Sequence, residues 1–279
     1  MKNPSSFDLP FASSAKPGRS ARAARRPLVR KTNAKRSAFQ LRLALRPTTA
    51  SEAVRFIDAV GFCLLFPVKS APLPSLYYAC ARRECTTWDK YCLRIWSWKD
   101  ELPRRRRAFY AKYFKGRGTF ISPKLLPHFL AIEESAWSAH DFDRAYAAGR
   151  ITADARALWA SLAGHGPLAT LELRHACKFD TVAGNKRFKK AMLELSRRLI
   201  VVHFGAEQET DSWASSRFEL TSRAFPAAVA AALRVSPAEA RRSIAAKYRA
   251  CHPDAGARTI ARLFGWSKAE AMGAQPEGL

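Results

Sequence analysis

Residues 153–220 constrain the fold more than any other part of this sequence. Residues 153–163 carry Ala157, Leu158 and Leu162 at helical spacing, and Gly164-His165-Gly166-Pro167 breaks the pattern. Thr170 is placed to cap a short second helix over 171–177. After Gly184-Asn185, the apolar residues Phe188, Met192, Leu195 and Leu199 predict a third helix reaching Arg198. The apolar run 199–204 predicts a strand, 205–212 is polar, and 216–220 reads as the returning strand. Three helices followed by a hairpin form the winged-helix order. In it a helix-turn-helix presents its third helix to a major groove and the hairpin forms a wing.

The flanking sequence repeats these signals. Thr49-Ala50-Ser51-Glu52 is a capping box, followed by a helix with Ala53, Phe56, Ile57 and Val60 on one face that stops at Gly61. The apolar run 62–66, ended by Pro67, is a buried strand or an extended segment. Helices are expected over 76–81 and over 88–102, the latter with Trp88, Tyr91, Trp96 and Trp98. Pro103 is expected to open another helix, 104–114, with Phe109, Tyr113 and Phe114 inward. Lys115-Gly116-Arg117-Gly118 forms a basic turn before 119–121, and Ser122-Pro123 is expected to cap a helix to about Ile132. Residues 133–143 read as a linker. Toward the C-terminus, Ser236-Pro237-Ala238-Glu239 opens a helix to Ala250. A short helix over 257–264, the Gly265 turn and a box from Ser267 to Glu270 resemble a further helix-turn-helix. The expected class is mainly α with short β-hairpin wings, as tandem winged-helix domains. The expected parts are a disordered basic tail over 1–46, a first winged-helix-like domain over 47–146, a second over 147–230, and a helix-turn-helix-like unit over 231–279.

Charge narrows the function. The chain holds 48 Lys+Arg against 23 Asp+Glu, a net charge of +25. Residues 1–46 carry 12 of those cations and a single acid, Asp8. That tail has too little apolar surface to offset its ordering entropy. It reads as a nucleic-acid-binding arm, with an inert solvated tail and an organelle-targeting segment as alternatives. Lys186, Arg187, Lys189 and Lys190 fall at the N-terminal end of the expected third helix, away from its apolar face. Base and phosphate contacts come from that position in such folds. The run Arg104, Arg105, Arg106 and Arg107, with Lys115 and Arg117, forms a second basic cluster. Placed at a helix start, four arginines would oppose the helix dipole, a cost that points to a polyanion partner rather than a plain solvated face. The aromatics Trp96, Trp98, Phe109, Tyr110 and Tyr113 read as core before stacking platforms.

Several chemistries find no support. No apolar run of transmembrane length occurs. The cysteines at 63, 80, 85, 92, 177 and 251 lack CxxC spacing, and the six histidines are scattered, so neither a zinc site nor a disulfide framework is expected. Phosphate-binding glycine loops and nucleophile elbows are also missing. Glu52, Asp58 and Asp89, the acids near 64 in sequence, read as helix charges. The expectation is a bacterial cytoplasmic, nucleoid-associated protein that is monomeric, needs no metal or cofactor, and has double-stranded DNA as its partner.

The order of features resembles the AlkZ-type (YcaQ) DNA glycosylases, and more closely a divergent AlkZ-related branch. The likeness runs from about Thr49 to Trp266. It rests on Gly61-Phe62-Cys63-Leu64, Leu125-Leu126-Pro127, Gly166-Pro167-Leu168 and 189–195, with the pieces 61–67 and 96–102 pointing to that branch. The resemblance implies tandem winged helices and DNA-repair ancestry. The family's catalytic signature, a Gln, an apolar residue and then Gln or Asp, falls here on Leu64, Leu65 and Phe66. Apolar side chains neither accept a proton nor orient water. A His-Glu pair that the family carries before its Leu-Leu-Pro is replaced by 118–122, and no C-terminal barrel follows. The resemblance therefore implies a DNA-binding relative that has lost its hydrolytic motif. An active glycosylase using substitute residues and a winged-helix transcriptional regulator are the alternatives.

Overall fold

The computed structural model describes residues 45–69, 71–208 and 214–275. Most of the expected basic tail, 1–44, and part of the expected hairpin loop lie outside them.

The chain opens with α1 (Ala50–Val60), whose capping box is complete: Thr49 Oγ1 accepts from Glu52 N and the Glu52 carboxylate from Thr49 N. Gly61 ends α1 at φ 79°, donating to Ile57 O, in a backbone region where a side chain would be strained. Then follow β1 (Phe62–Leu64), α2 (Leu76–Ala81), α3 (Lys90–Arg104), β2 (Phe109–Ala111) and β3 (Thr119–Ile121). The sheet order is β1-β3-β2, antiparallel throughout. Next come α4 (Leu126–Ile132) and α5 (Phe142–Ala147).

A second pass repeats the order. It runs α6 (Ala153–His165), β4 (Leu168–Ala169), α7 (Thr170–Ala176), α8 (Val182–Arg197), β5 (Val201–Glu207) and β6 (Ser215–Leu220), with sheet order β4-β6-β5. Both halves are thus helix, strand, helix, helix, strand, strand, and in each the first strand pairs with the third. The chain closes with α9 (Thr221–Ala224), α10 (Pro226–Ala232), α11 (Pro237–Cys251), α12 (Ala257–Phe264) and α13 (Lys268–Gly273).

Three apolar clusters hold these elements. One fills the first half with Phe56, Ile57, Cys63, Leu76, Ile95 and Phe120. Another fills the second half with Leu158, Trp159, Phe188, Met192, Leu195 and Val201. The third joins them, taking Phe62 and Leu64 from β1, Val202 from β5, and Ile244, Ile260 and Leu263 from the C-terminal helices. Along β1 and the residue after it, Phe62 and Leu64 face this third cluster while Cys63 and Leu65 face the first. A strand buried on both faces reads as the unbroken apolar run seen in the sequence.

The mainly helical class holds, with corrections. The expected helix over 104–114 does not exist. Pro103 and Arg104 close α3, and Phe109 to Ala111 form β2. Helix α3 begins at Lys90 behind the cap Asp89, rather than near Trp88. Helix α4 starts at Leu126, because Ser122 holds a turn by accepting from Leu125 N and Leu126 N through its backbone carbonyl. Helix α7 starts at Thr170, whose hydroxyl bonds Ser216 O instead of capping. On α6 the inward residues are Ala155, Leu158, Trp159 and Leu162, with Ala157 exposed. No described helix is long and apolar enough to cross a membrane.

Candidate nucleic-acid interface

The cations singled out on α8 lie on its outer side. Thr181 caps the helix by accepting from Gly184 N. Phe188, Ala191, Met192 and Leu195 are buried, while Lys186, Arg187 and Lys190 are exposed and Lys189 is half-buried. Gly184 lets the helix approach the preceding chain: a Cβ there would lie 2.8 Å from three backbone atoms of Phe179. Arg187, though exposed, already has a partner: its guanidinium pairs with both oxygens of Asp154 on α6 and lies over the Phe179 ring. That pairing holds the Asp154 carboxyl below its ordinary value. Lys186 and Lys190, one turn apart, carry the exposed charge.

The arginine run is placed differently from the expectation. Arg104 ends α3, Arg105 is its C-terminal cap, and Arg106 takes a left-handed φ of 55°. Cations at a helix C-terminus are favoured by the dipole. Contrary to the expectation of a helix start, the run opposes no dipole here and carries no cost for a polyanion to offset. Arg104, Arg105, Arg106 and Arg107 are all exposed. Arg105 pairs with Glu101 at 3.3 Å. Arg104 lies along Gly205 and Arg106 over the Phe204 ring, which places the run against β5 of the second half.

Lys115 and Arg117, both exposed, flank the turn between β2 and β3. Gly116 rests on Leu193 and Arg197 of α8, and Gly118 O accepts from Leu65 N at 2.8 Å. This turn therefore touches α8 on one side and the Leu64-Leu65-Phe66 segment on the other. Both first-half basic clusters meet the second half at α8 and β5, which are consecutive in the chain. From Lys186 to Arg197, α8 spans about 16 Å.

Leu64 and Leu65 are buried in core clusters, and Phe66 is half-buried against Tyr77 and Trp88. The neighbouring acids have structural partners. Glu52 completes the α1 box, and Asp58 accepts from Ser122 Oγ at 2.5 Å. Asp89 caps α3, accepting from Tyr91 N and Cys92 N, and also from Tyr77 Oη and Arg83. Burial pushes the Asp89 carboxyl up, but these hydrogen bonds outweigh it and hold it at about 2. Among the described residues, no group of three or more His, Cys, Asp or Glu could hold a metal.

One polar cluster has no sequence signal. Asp100 Oδ1 lies 2.6 Å from Lys99 Nζ and 2.5 Å from His203 Nε2, joining α3 to β5. The partners stand 103 residues apart, so no local pattern brings them together.

Among curated proteins, none matches the sequence. The fold is similar to that of the Streptomyces sahachiroi DNA glycosylase AlkZ, with a TM-score of 0.51 and 17% identity, over 86% of this chain. The match spans 64% of that protein's length. Residues 47–265 match the sequence profile described as AlkZ related, so this chain belongs to the AlkZ-related family.

Proposed function

We propose that this protein binds double-stranded DNA through two tandem winged helices and lacks hydrolytic chemistry at the family's motif position. The two halves, 47–146 and 147–230, are read as winged-helix domains because each runs helix, strand, helix, helix, strand, strand, with the first strand paired to the third. Helices α11, α12 and α13, from the expected unit 231–279, pack on the core joining them. The observation that carries the reading is the exposed cationic face of α8, continued by the Lys115–Arg117 turn and by the arginines along β5. Lys186, Lys189 and Lys190 contact the phosphate backbone beside the major groove, and Lys115, Arg117 and Arg104 to Arg107 extend the contact. Arg187 positions α8 through Asp154. Membership of the AlkZ-related family and the fold shared with a DNA glycosylase support DNA as the partner. Leu64 and Leu65, packed in the core, offer no group to activate water.

The test is incubation of the protein with labelled duplexes, undamaged, N-alkylated and cross-linked, followed by counting alkali-labile sites. Binding to all three without abasic sites is expected. Abasic sites that vanish in variants near 63–67 would overturn the loss of chemistry. Selective protection of one undamaged sequence would favour a regulator.

A further inference from the structure

Beside the motif position the surface is aromatic. Phe66 lies 5.9 Å from Tyr77 and 6.4 Å from Trp88 between ring centroids, and Trp88 meets Trp96 edge-on at 5.6 Å. Phe66 and Trp96 are half-buried, and Trp88 is 38% exposed. Lys99 Nζ sits 4.4 Å from the Trp96 ring centre. Lys99 covers one side of Trp96, and the rings are tilted or edge-on to one another, so Trp88 is the member of the group that offers a ring to a flat partner.

The charge around this row fits a nucleic-acid strand. The bond from Leu65 N to Gly118 O sets Phe66 beside the Lys115–Arg117 turn, and Gly116 of that turn touches α8. The segment 83–90 adds no net charge, since Arg83 pairs with Asp89 and the exposed Glu84 offsets Lys90. The rim carboxylate, Asp89, has its oxygens occupied by Arg83, Tyr77 and two backbone N–H groups. A phosphate backbone leaving α8 therefore meets the basic turn before it reaches the aromatic row.

We propose that Trp88, braced by Phe66 and Trp96, forms a stacking shelf for an unpaired base of the bound DNA. The shelf rests on the duplex-binding reading of α8. Stacking needs an open ring face and neighbouring cations, tolerates any base, and requires no proton transfer.

The full chain is titrated by anisotropy against a fully paired duplex and against the same duplex carrying one bulged 2-aminopurine. The bulged duplex is expected to bind about 5–150-fold tighter, with the 2-aminopurine emission quenched on binding. Trp88→Ala removes the preference and the quenching while paired-duplex affinity stays within about 2-fold, and Trp88→Phe retains most of both, since it keeps a ring. Lys186→Ala lowers affinity for both probes alike. Equal affinities with unquenched emission overturn the shelf and leave the duplex reading standing. A bulge preference unchanged in a folded Trp88→Ala also overturns it, because bending of the bulge then explains the preference. Trp88-dependent binding of the bulged probe with no binding of the paired one supports the shelf and overturns the duplex reading. Binding of neither overturns both.

Discussion

Asp100→Asn strikes the contact between the two halves. Lys99 and His203 are buried, each with its side chain 7% exposed, and the Asp100 carboxylate between them is 24% exposed. Asparagine keeps the shape and removes the charge, leaving the Lys99 ammonium without its counter-charge. Removing one partner of a buried pair costs about 3–5 kcal/mol, and water reaching Asp100 reduces that to about 2–3 kcal/mol here. For a body of this size the loss lowers Tm by about 4–12 °C. Urea unfolding followed by tryptophan emission measures it. The pH dependence has a definite sign. Burial pushes the Asp100 carboxyl up, but the hydrogen bond from His203 and the charges of His203 and Lys99 outweigh it, so its folded value lies below the ordinary one. Its stabilisation is complete above the unfolded carboxylate value of about 3.9 and is lost as pH falls through the folded value. Wild type and variant should converge in acid. A difference below about 0.5 kcal/mol at neutral pH, the range of an exposed pair, or one that widens from pH 5 to 3, would show that Asp100 does not hold the two halves together through its charge.

Other perturbations follow from the same geometry. Gly184→Ala drives a Cβ into the Phe179 backbone and should cost about 1–3 kcal/mol in urea unfolding; wild-type stability would mean that α8 does not need this approach. Leu64→Gln, which puts an amide into a fully buried site, should cost about 3–5 kcal/mol and yield no abasic sites on alkylated duplex. Asp89→Ala removes the cap of α3 and should cost about 1–2 kcal/mol. Because the folded Asp89 value is about 2, its contribution is full above pH 4 and fades as pH falls toward 2, which a pH series of melting curves reads directly. Arg105→Ala, removing an exposed pair with Glu101, should leave stability within about 0.5 kcal/mol by the same melting assay.

The helix starts were legible where side chains cap them. The boxes at Thr49 and Ser267 are both complete, and Ser236 accepts from Glu239 N ahead of Pro237. The third helix of the second half was legible because its apolar spacing runs over three turns. Pro103 misled because proline fits both the first turn of a helix and, here, the last turn of α3. Phe109, Tyr113 and Phe114 mimic a helical face. In the structure they belong to a three-residue strand and the tight turn after it, both too short to show an alternating pattern. That error moved four arginines from the end of one helix to the start of another and reversed the sign of their dipole argument. Helices α9 and α10 left no clear expectation: the first spans four residues and the second is nearly all alanine. For the site, the cations of α8 were readable from one helix alone. The pairing of Arg187 with Asp154, the seat of the arginine run on β5, and the Asp100–His203 contact depend on pieces brought together only by folding. Trp96, read as core, is half-buried at the edge of the aromatic row.

If the basic faces of α8 and its neighbours grip a phosphate backbone, binding to a paired, undamaged duplex depends steeply on salt. About 6–10 phosphate contacts should make affinity fall about 10³–10⁵-fold between 50 and 200 mM salt, and each of Lys186→Ala and Lys190→Ala should lower the logarithmic slope by about 1. An affinity that changes less than about 10-fold over that range, or a slope unmoved by both substitutions, would contradict that grip.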